Sequence, residues 1–262
     1  IPNAGGSGLL FEGSTADIYE TSVVATDPTA DRTITLPDQT GTAMLWQNAW
    51  PDDPASDNIA IGSSALLAVT TSIQNVAIGP NTLSSSTTAG ANTAVGYNAL
   101  SLATSNNNTA VGNEALGNST SGGTNTAVGS IAGRDLTTGS RNTAMGNAAM
   151  RDNTTDSDTT AIGYWCGGGD FLTGGTYLGA YAGNYDSDGK DYQVAIGYNA
   201  MNDCDGDECV AVGAYAMSDG NHYRSVAVGH DALGRSSSYF PYYNVAVGYG
   251  SMNAAYYNDY NT

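Results

Sequence analysis

The stretch Asn92-Thr93-Ala94-Val95-Gly96-Tyr97-Asn98-Ala99-Leu100 contains the pattern that decides the fold. The pattern reads Asn, Thr or Val, Ala, Val or Ile, Gly, two variable residues, Ala, then Leu or Met, and a variable polar turn follows it. It recurs from residue 58 onward at a spacing of 16 to 19 residues from one glycine to the next. These glycines are Gly62, Gly79, Gly96, Gly112, Gly129, Gly146, Gly163, Gly179, Gly197, Gly213, Gly229 and Gly248. Such a series indicates a repeat architecture, in which each unit packs on its neighbours.

A repeat of about 17 residues suits one coil of a flattened parallel β-solenoid, with two short strands and two turns. Side chains alternate along a strand, so Ala77 is predicted to face the opposite side from Val76 and Ile78. One coil cannot bury its apolar face alone, whereas stacked coils can. We therefore predict an all-β fold of about 12 coils over residues 58–252, with almost no helix and a thin core made mostly of Ala, Val and Ile.

Three columns of the repeat have predictable roles. The glycine column fits a close backbone approach, where a Cβ would clash. Asparagine lies four residues before the glycine in several units and predicts a hydrogen-bonded ladder between turns: Asn58, Asn75, Asn92, Asn108, Asn125, Asn142 and Asn244. Small residues lie three positions after the glycine and are predicted to face inward: Ala65, Thr82, Ala99, Ala115, Ala132, Ala149, Cys166, Ala182, Ala200, Ala216, Ala232 and Ser251.

The segments around the repeat differ in composition. Residues 1–45 contain β-rich runs separated by Gly and Pro turns and predict a small β unit of three or four strands, with a third strand near Thr33–Leu36. Residues 46–57 carry Trp46 and Trp50 and predict a linker or an aromatic cap. Residues 253–262 form a Tyr-rich tail. The start at Ile1 suggests a processed product or a fragment.

The repeat resembles a known family of surface proteins. The units Asn75-Val76-Ala77-Ile78-Gly79 and Ser225-Val226-Ala227-Val228-Gly229 resemble the head repeats of trimeric autotransporter adhesins, the YadA-like family. The resemblance covers residues 58–252 and implies a left-handed parallel β-roll with three chains side by side, hence a homotrimer. The coiled-coil stalk and membrane anchor of that family have no counterpart in this sequence.

The N-terminal part resembles a second group of proteins. The runs Phe11-Glu12-Gly13-Ser14-Thr15-Ala16-Asp17 and Asp27-Pro28-Thr29-Ala30-Asp31-Arg32-Thr33-Ile34-Thr35-Leu36-Pro37-Asp38 are similar to segments of structural and tail-fibre proteins of tailed phages, especially marine ones. An ordinary pair of strands joined by Pro and Gly turns would also explain them. Together the two resemblances imply a virion fibre that carries an adhesin-type roll.

Composition and charge exclude some classes of partner. The net charge is −18, and nucleic-acid binding needs a basic footprint. No apolar run approaches the roughly 18 residues that span a bilayer, so no membrane insertion is expected. The three cysteines predict no disulfide framework, although Cys204 and Cys209 flank a four-residue turn that a bridge would close. Cys166 is interpreted as a small buried hydrophobe that replaces an inward alanine.

Two acidic turns are candidate Ca²⁺ sites. Each has alternating carboxylates around a glycine, a texture typical of calcium loops, although neither has the full loop or its closing Glu. Their carboxylates are Asp186, Asp188, Asp191, Asp203, Asp205 and Asp207. Two solvated turns without metal are the alternative. His222 and His230 have no Cys or His partner at zinc-ligand spacing.

Tyrosine marks a candidate contact surface, because 15 of the 17 tyrosines lie at or beyond Tyr164. Tyrosine offers a large contact area at low entropy cost, and its ring can stack on a sugar face. The candidate residues near the C-terminal end are Tyr239, Tyr242, Tyr243, Tyr256, Tyr257 and Tyr260. One interpretation is that they contact a host receptor, which is a glycan or a protein. The other is that they cap the end of the solenoid or pack between chains.

These patterns predict a non-enzymatic fibre or adhesin, resembling a phage tail-fibre component, at a virion surface or outside the cell. Its expected partners are itself as a homotrimer, a host surface receptor, and other virion or filament proteins. The alternative is a structural filament subunit that joins neighbours head to tail without binding a receptor. An enzyme such as a polysaccharide lyase is the third hypothesis, and the sequence offers no acid/base constellation for it.

Overall fold

The protein is described here from a computed structural model. The structure describes the backbone of residues 8–11 and 21–24, and residues 57–169, 173–184, 192–204, 206–220, 222–234 and 242–253 with their side chains. The chain divides into two compact units, Ile1–Ala43 and Met44–Thr262. Within the first unit, β1 (Gly8–Phe11) pairs antiparallel with β2 (Thr21–Val24), and Gly8 lies opposite Val24. The predicted strand near Thr33–Leu36 lies outside the described residues.

The second unit is a parallel β-solenoid with twelve strands, which confirms the predicted all-β parallel solenoid. Each strand between the first and the last pairs with the one before and the one after it in sequence, in parallel and with matched register. The described residues contain no helix. The strands are β3 (Ile59–Ile61), β4 (Val76–Ile78), β5 (Thr93–Val95), β6 (Thr109–Val111), β7 (Thr126–Val128), β8 (Thr143–Met145), β9 (Thr160–Ile162), β10 (Thr176–Leu178), β11 (Val194–Ile196), β12 (Val210–Val212), β13 (Val226–Val228) and β14 (Val245–Val247).

The core is narrower than predicted. The middle residue of nearly every strand is a buried alanine, as at Ala77 and Ala94. The strand residues on either side of it point outward, and Ile78 remains 37% exposed. The prediction that Val and Ile line the core was therefore wrong, because the period of two places them on the outer face. Alanines three residues after the column glycine and Leu or Met one residue further on, such as Leu100, fill the interior instead.

The second predicted strand of each coil does not form in the described residues. The residues two and four positions after the column glycine adopt left-handed backbone conformations, such as Asn98 at φ 55° and Leu100 at φ 49°. These φ values interrupt an extended run and produce consecutive turns. Coil-to-coil hydrogen bonding nevertheless continues here, since Leu100 N–H donates to the Ala115 carbonyl at 3.1 Å.

The predicted asparagine ladder forms in the first half of the solenoid. The Asn125 side-chain oxygen accepts a hydrogen bond from the Asn142 backbone N–H at 2.9 Å, and its amide donates to the Gly139 carbonyl at 2.8 Å. The same pattern joins Asn58, Asn75, Asn92, Asn108, Asn125 and Asn142, and it ends at Thr159, which has no equivalent amide. Buried backbone groups in this turn are thereby satisfied from coil to coil.

The glycine column permits the close stacking of coils. Gly96 has φ 133°, a region that residues with a Cβ rarely adopt. A Cβ on Gly96 would overlap the carbonyl oxygen of Gly112 in the next coil. The prediction of a close backbone approach is confirmed at this position.

One coil replaces the inward alanine of its strand with Tyr177, which is fully buried. Glycines make room for its ring, because a Cβ on Gly175 or Gly183 would overlap ring atoms of Tyr177. The Tyr177 hydroxyl donates to the Gln193 side-chain oxygen at 3.2 Å. A large residue thus enters the thin core without changing the register of the sheet.

Candidate functional site: an aromatic ladder

The turns in the later coils carry a continuous row of aromatic side chains. Each member lies one or two residues after a column glycine, so the members belong to successive coils. We call this row the aromatic ladder, and it comprises Tyr164, Tyr181, Tyr198, Tyr215, His230 and Tyr249.

Backbone hydrogen bonds explain why the rings meet although their sequence positions alternate. The second residue of each turn donates its N–H to the carbonyl of the first residue of the preceding turn. Tyr181 donates to Tyr164 in this way and Tyr215 to Tyr198, both at 2.9 Å. A ring at the second position therefore lies beside a ring at the first position of the coil before it.

Neighbouring rings of the ladder are in direct contact. Ring centroids are 5.4 Å apart for Tyr164 and Tyr181, 6.1 Å for Tyr181 and Tyr198, and 5.4 Å for Tyr198 and Tyr215, with interplanar angles of 78° to 89°. This edge-to-face arrangement suits the quadrupoles of aromatic rings. The row then continues through His230 to Tyr249, whose rings stack at 5.3 Å and 17°.

The ladder faces solvent and carries little charge. Tyr164 and Tyr198 are 46% and 47% exposed, and Tyr249 is 82% exposed. The residues beside the rings in the same turns are small or polar, as at Ala180, Asn199 and Ala214, except for Trp165 beside Tyr164. The exposed parts of the rings are apolar, and the hydroxyls supply hydrogen-bond donors and acceptors.

Charged groups border the ladder at two places. The His230 Nδ1 and the Asp231 carboxylate are 3.1 Å apart near its C-terminal end. At the other end the Arg151 guanidinium lies 4.0 Å from the centroid of the Trp165 ring and pairs with Asp152 at 2.8 Å. The Trp165 ring is itself 6.4 Å from Tyr164.

The repeat pattern did not predict the ladder as a unit, although the excess of tyrosine is visible in the sequence. Some members lie at the first residue after the column glycine and others at the second. When the repeats are aligned, neither position is therefore aromatic throughout. A signal was available: six successive coils have an aromatic ring in the first or second place after the column glycine.

Of the predicted contact residues, Tyr242 and Tyr243 lie among the described residues and belong to a separate aromatic group. The ring of Tyr242 stacks on Tyr223 with centroids 5.2 Å apart, and Arg224 donates to the Tyr243 hydroxyl at 3.0 Å. Arg224 also pairs with Glu208 at 3.2 Å. Tyr239, Tyr256, Tyr257 and Tyr260 lie outside the described residues.

The proposed Ca²⁺ ligands are described only in part. Asp203 is exposed and Asp207 is half-buried, whereas Asp186, Asp188, Asp191 and Asp205 lie outside the described residues. Within the described ranges no group of three His, Cys, Asp or Glu side chains is placed to hold a metal ion. The Ca²⁺ sites therefore stay a prediction.

The cysteines and His222 are interior residues. Cys166 is fully buried in the alanine column, as predicted, and burial raises the pKa of its thiol to about 12. Cys204 and Cys209 are buried, and the Cys209 thiol donates to the His222 carbonyl at 2.8 Å. A bridge between Cys204 and Cys209 stays a prediction. Burial lowers the pKa of the His222 imidazole below its usual value.

The described residues include no helix that is long and apolar enough to cross a membrane. No protein-family model, no curated protein and no solved structure matches this chain significantly.

Proposed function

We propose that this protein is a non-enzymatic fibre or adhesin that attaches a virion or an extracellular structure to a host surface, in the manner of a phage tail-fibre component. The observation that carries the proposal is the exposed aromatic ladder on a twelve-strand solenoid. A stacked solenoid gives an extended scaffold, and its regular coils repeat the same surface position many times. Exposed aromatic side chains in such a row are typical of contact surfaces.

The proposal includes a homotrimer of left-handed rolls, as in the adhesin heads that the repeat resembles. The outer face of the sheet supports it, because apolar side chains occupy the third position of each strand. Ile78, Val111, Met145, Ile162, Leu178, Val228 and Val247 are each at least 36% exposed. Packing three such faces together would bury apolar surface that a single thin roll leaves in water.

The edges of the described sheet favour one alternative. β3 pairs only with β4, and β14 pairs only with β13, within the part of the chain that the structure describes. Edge strands of this kind can pair with another chain. A filament subunit that joins neighbours head to tail would use these edges and would need no receptor.

Attachment can be tested with fluorescently labelled full-length chain and a panel of intact bacterial cells. We expect saturable binding to the cells of at least one strain, and unlabelled chain should compete for it. If the chain binds to none of the strains and forms filaments that grow with concentration in electron micrographs, attachment is contradicted and the filament subunit is supported.

A further inference from the structure

We infer that the aromatic ladder is a binding rail for a linear, uncharged polysaccharide that lies along the stacking direction of the coils. This inference rests on the proposed function and names the ligand class of its contact surface. Four observations carry it: the shape of the ladder, the chemistry of its rings, their alternation and the charge around them.

The shape of the ladder suits a chain-like ligand. The row crosses six successive coils from Tyr164 to Tyr249 and is one ring wide except at Tyr164, where the Trp165 ring lies 6.4 Å away. With a strand spacing of about 4.8 Å, these coils span roughly 24 Å. A compact protein partner normally covers a patch of about 800 Å² that is broad in both directions. A single extended polymer matches a long, narrow row better.

The chemistry of the rings suits sugars. A sugar ring has an apolar face of C–H groups and a rim of hydroxyls. The exposed parts of the Tyr164 and Tyr198 rings can pack against the C–H face, while the phenol hydroxyls donate to and accept from the sugar hydroxyls. Ala180 and Ala214 beside the rings leave room for the polymer to approach them.

The alternation of the rings suits a polymer with a two-unit repeat. From Tyr164 to Tyr215 neighbouring rings are nearly perpendicular, as for Tyr181 and Tyr198 at 89°. Over these four coils, rings of one orientation therefore recur at most in every second coil, about 10 Å apart. In β-1,4-linked chains successive sugars alternate in orientation, so the same sugar face also returns at every second unit.

The charge around the ladder excludes acidic polymers as the preferred ligand. The protein has a net charge of −18, which repels anionic chains. The described cation over the Trp165 ring, Arg151, is already paired with Asp152. His230 at the other end is beside Asp231. An uncharged polysaccharide incurs no electrostatic penalty at this surface.

Affinity electrophoresis of the full-length chain tests this assignment. Native gels would contain hydroxyethyl cellulose, galactomannan or dextran as neutral probes, and alginate as the acidic probe. We expect at least one neutral polymer to slow the protein increasingly as the concentration of that polymer in the gel rises. Alginate should have no effect. Retardation by none of the neutral polymers, or by alginate alone, would overturn the assignment.

Two variants locate the binding. Tyr164→Ser/Tyr198→Ser/Tyr215→Ser should weaken retardation by about tenfold or more, because each aromatic contact contributes a factor of about two to ten. Tyr249→Ser removes the most exposed ring of the ladder, so the substitution should affect folding little. It should weaken the retardation by a few-fold. Tyr97→Ser is the matched control, because Tyr97 occupies the same place in an earlier coil, is 49% exposed, and has Pro80 and Asn113 at the equivalent places of the adjacent coils.

Unchanged retardation in both ladder variants would place the polymer elsewhere and overturn the inference. A proline-rich peptide that bound the ladder while neutral polysaccharides did not would also overturn it. Cell binding that survives the triple substitution would leave the proposed attachment intact and contradict only the ladder as its contact surface. If the triple substitution abolishes both polysaccharide binding and cell binding while the Tyr97→Ser control is unaffected, the proposed attachment and the ladder as its contact surface are both supported.

Discussion

At the residue scale, the core depends on exchanges of volume within one coil. Tyr177 fills space that alanine leaves in most strands, and Gly175 and Gly183 of the same coil provide it. The sequence shows both the tyrosine in a strand and the glycines near it, yet the pattern of the repeat alone does not reveal that they compensate each other. Their contacts arise only when the coil closes around its core.

Substitution of Tyr177 tests this exchange. Tyr177→Ala should lower the stability by about 3–5 kcal/mol, because the glycines cannot fill the cavity. Tyr177→Phe retains the ring and should cost only about 1 kcal/mol, since it loses the hydroxyl contact with Gln193. Thermal unfolding followed by circular dichroism measures both. Equal melting temperatures for the two variants would contradict the assigned packing.

His222 makes a second prediction at this scale. Because burial depresses its folded-state pKa below the unfolded value of about 6.5, the folded state binds fewer protons than the unfolded state. The stability due to neutral His222 is therefore complete above about pH 6.5 and decreases as the pH falls below it, although the nearby Asp219 partly offsets the shift. The melting temperature of the parent protein should therefore decrease as the pH is lowered from about 7.5 to about 5.

The variant for this test is His222→Gln. It should melt with a weaker pH dependence than the parent, because it lacks the buried imidazole. A His222→Gln variant with the parental slope would show that other groups cause the pH dependence.

At the scale of the coil, periodicity predicted the parallel stack, its register and the inward alanine column. It did not predict that one side of the coil consists of turns. Residues such as Asn98 and Leu100 carry left-handed φ angles, and these residue types also occur in ordinary strands. The stacked neighbour stabilises them through coil-to-coil hydrogen bonds, so local propensity was a poor guide.

The asparagine ladder gives a prediction for this element. Asn125→Ala should lower the stability by about 2–4 kcal/mol, because the Asn142 N–H and the Gly139 carbonyl both lose a buried partner. Asn118→Ala is the control, since Asn118 is exposed and its amide bonds the Asp135 side chain at the surface. That change should cost less than about 0.5 kcal/mol. Comparable losses in the two variants, measured by thermal unfolding, would argue against the ladder as a source of stability.

The aromatic ladder shows the limit of sequence reasoning about the site. Individual tyrosines in the turns were visible, but the alternation between two places of the repeat concealed their contact. The inter-coil hydrogen bond from Tyr181 to Tyr164 is what aligns the two places, and it follows from three-dimensional stacking. The predicted cluster near the C-terminal end rested instead on residue density along the chain.

At the scale of the whole molecule, the account depends on how the outer strand face is covered. Its apolar column would be a liability on a free roll, and a large exposed apolar surface normally marks an interface. Three chains packed through this face would explain why outward positions carry Val, Ile, Leu and Met. The substitution Ile78→Lys/Val111→Lys/Ile162→Lys places charges on the face without entering the core, because each of these residues is already partly exposed.

Light scattering coupled to size-exclusion chromatography at micromolar concentration measures the mass of the assembly directly. One chain weighs 26.7 kDa, so the account predicts about 80 kDa for the parent protein and the single-chain mass for the folded triple-lysine variant. A parent protein at 26.7 kDa, or an open-ended series of larger masses, would contradict the trimeric fibre.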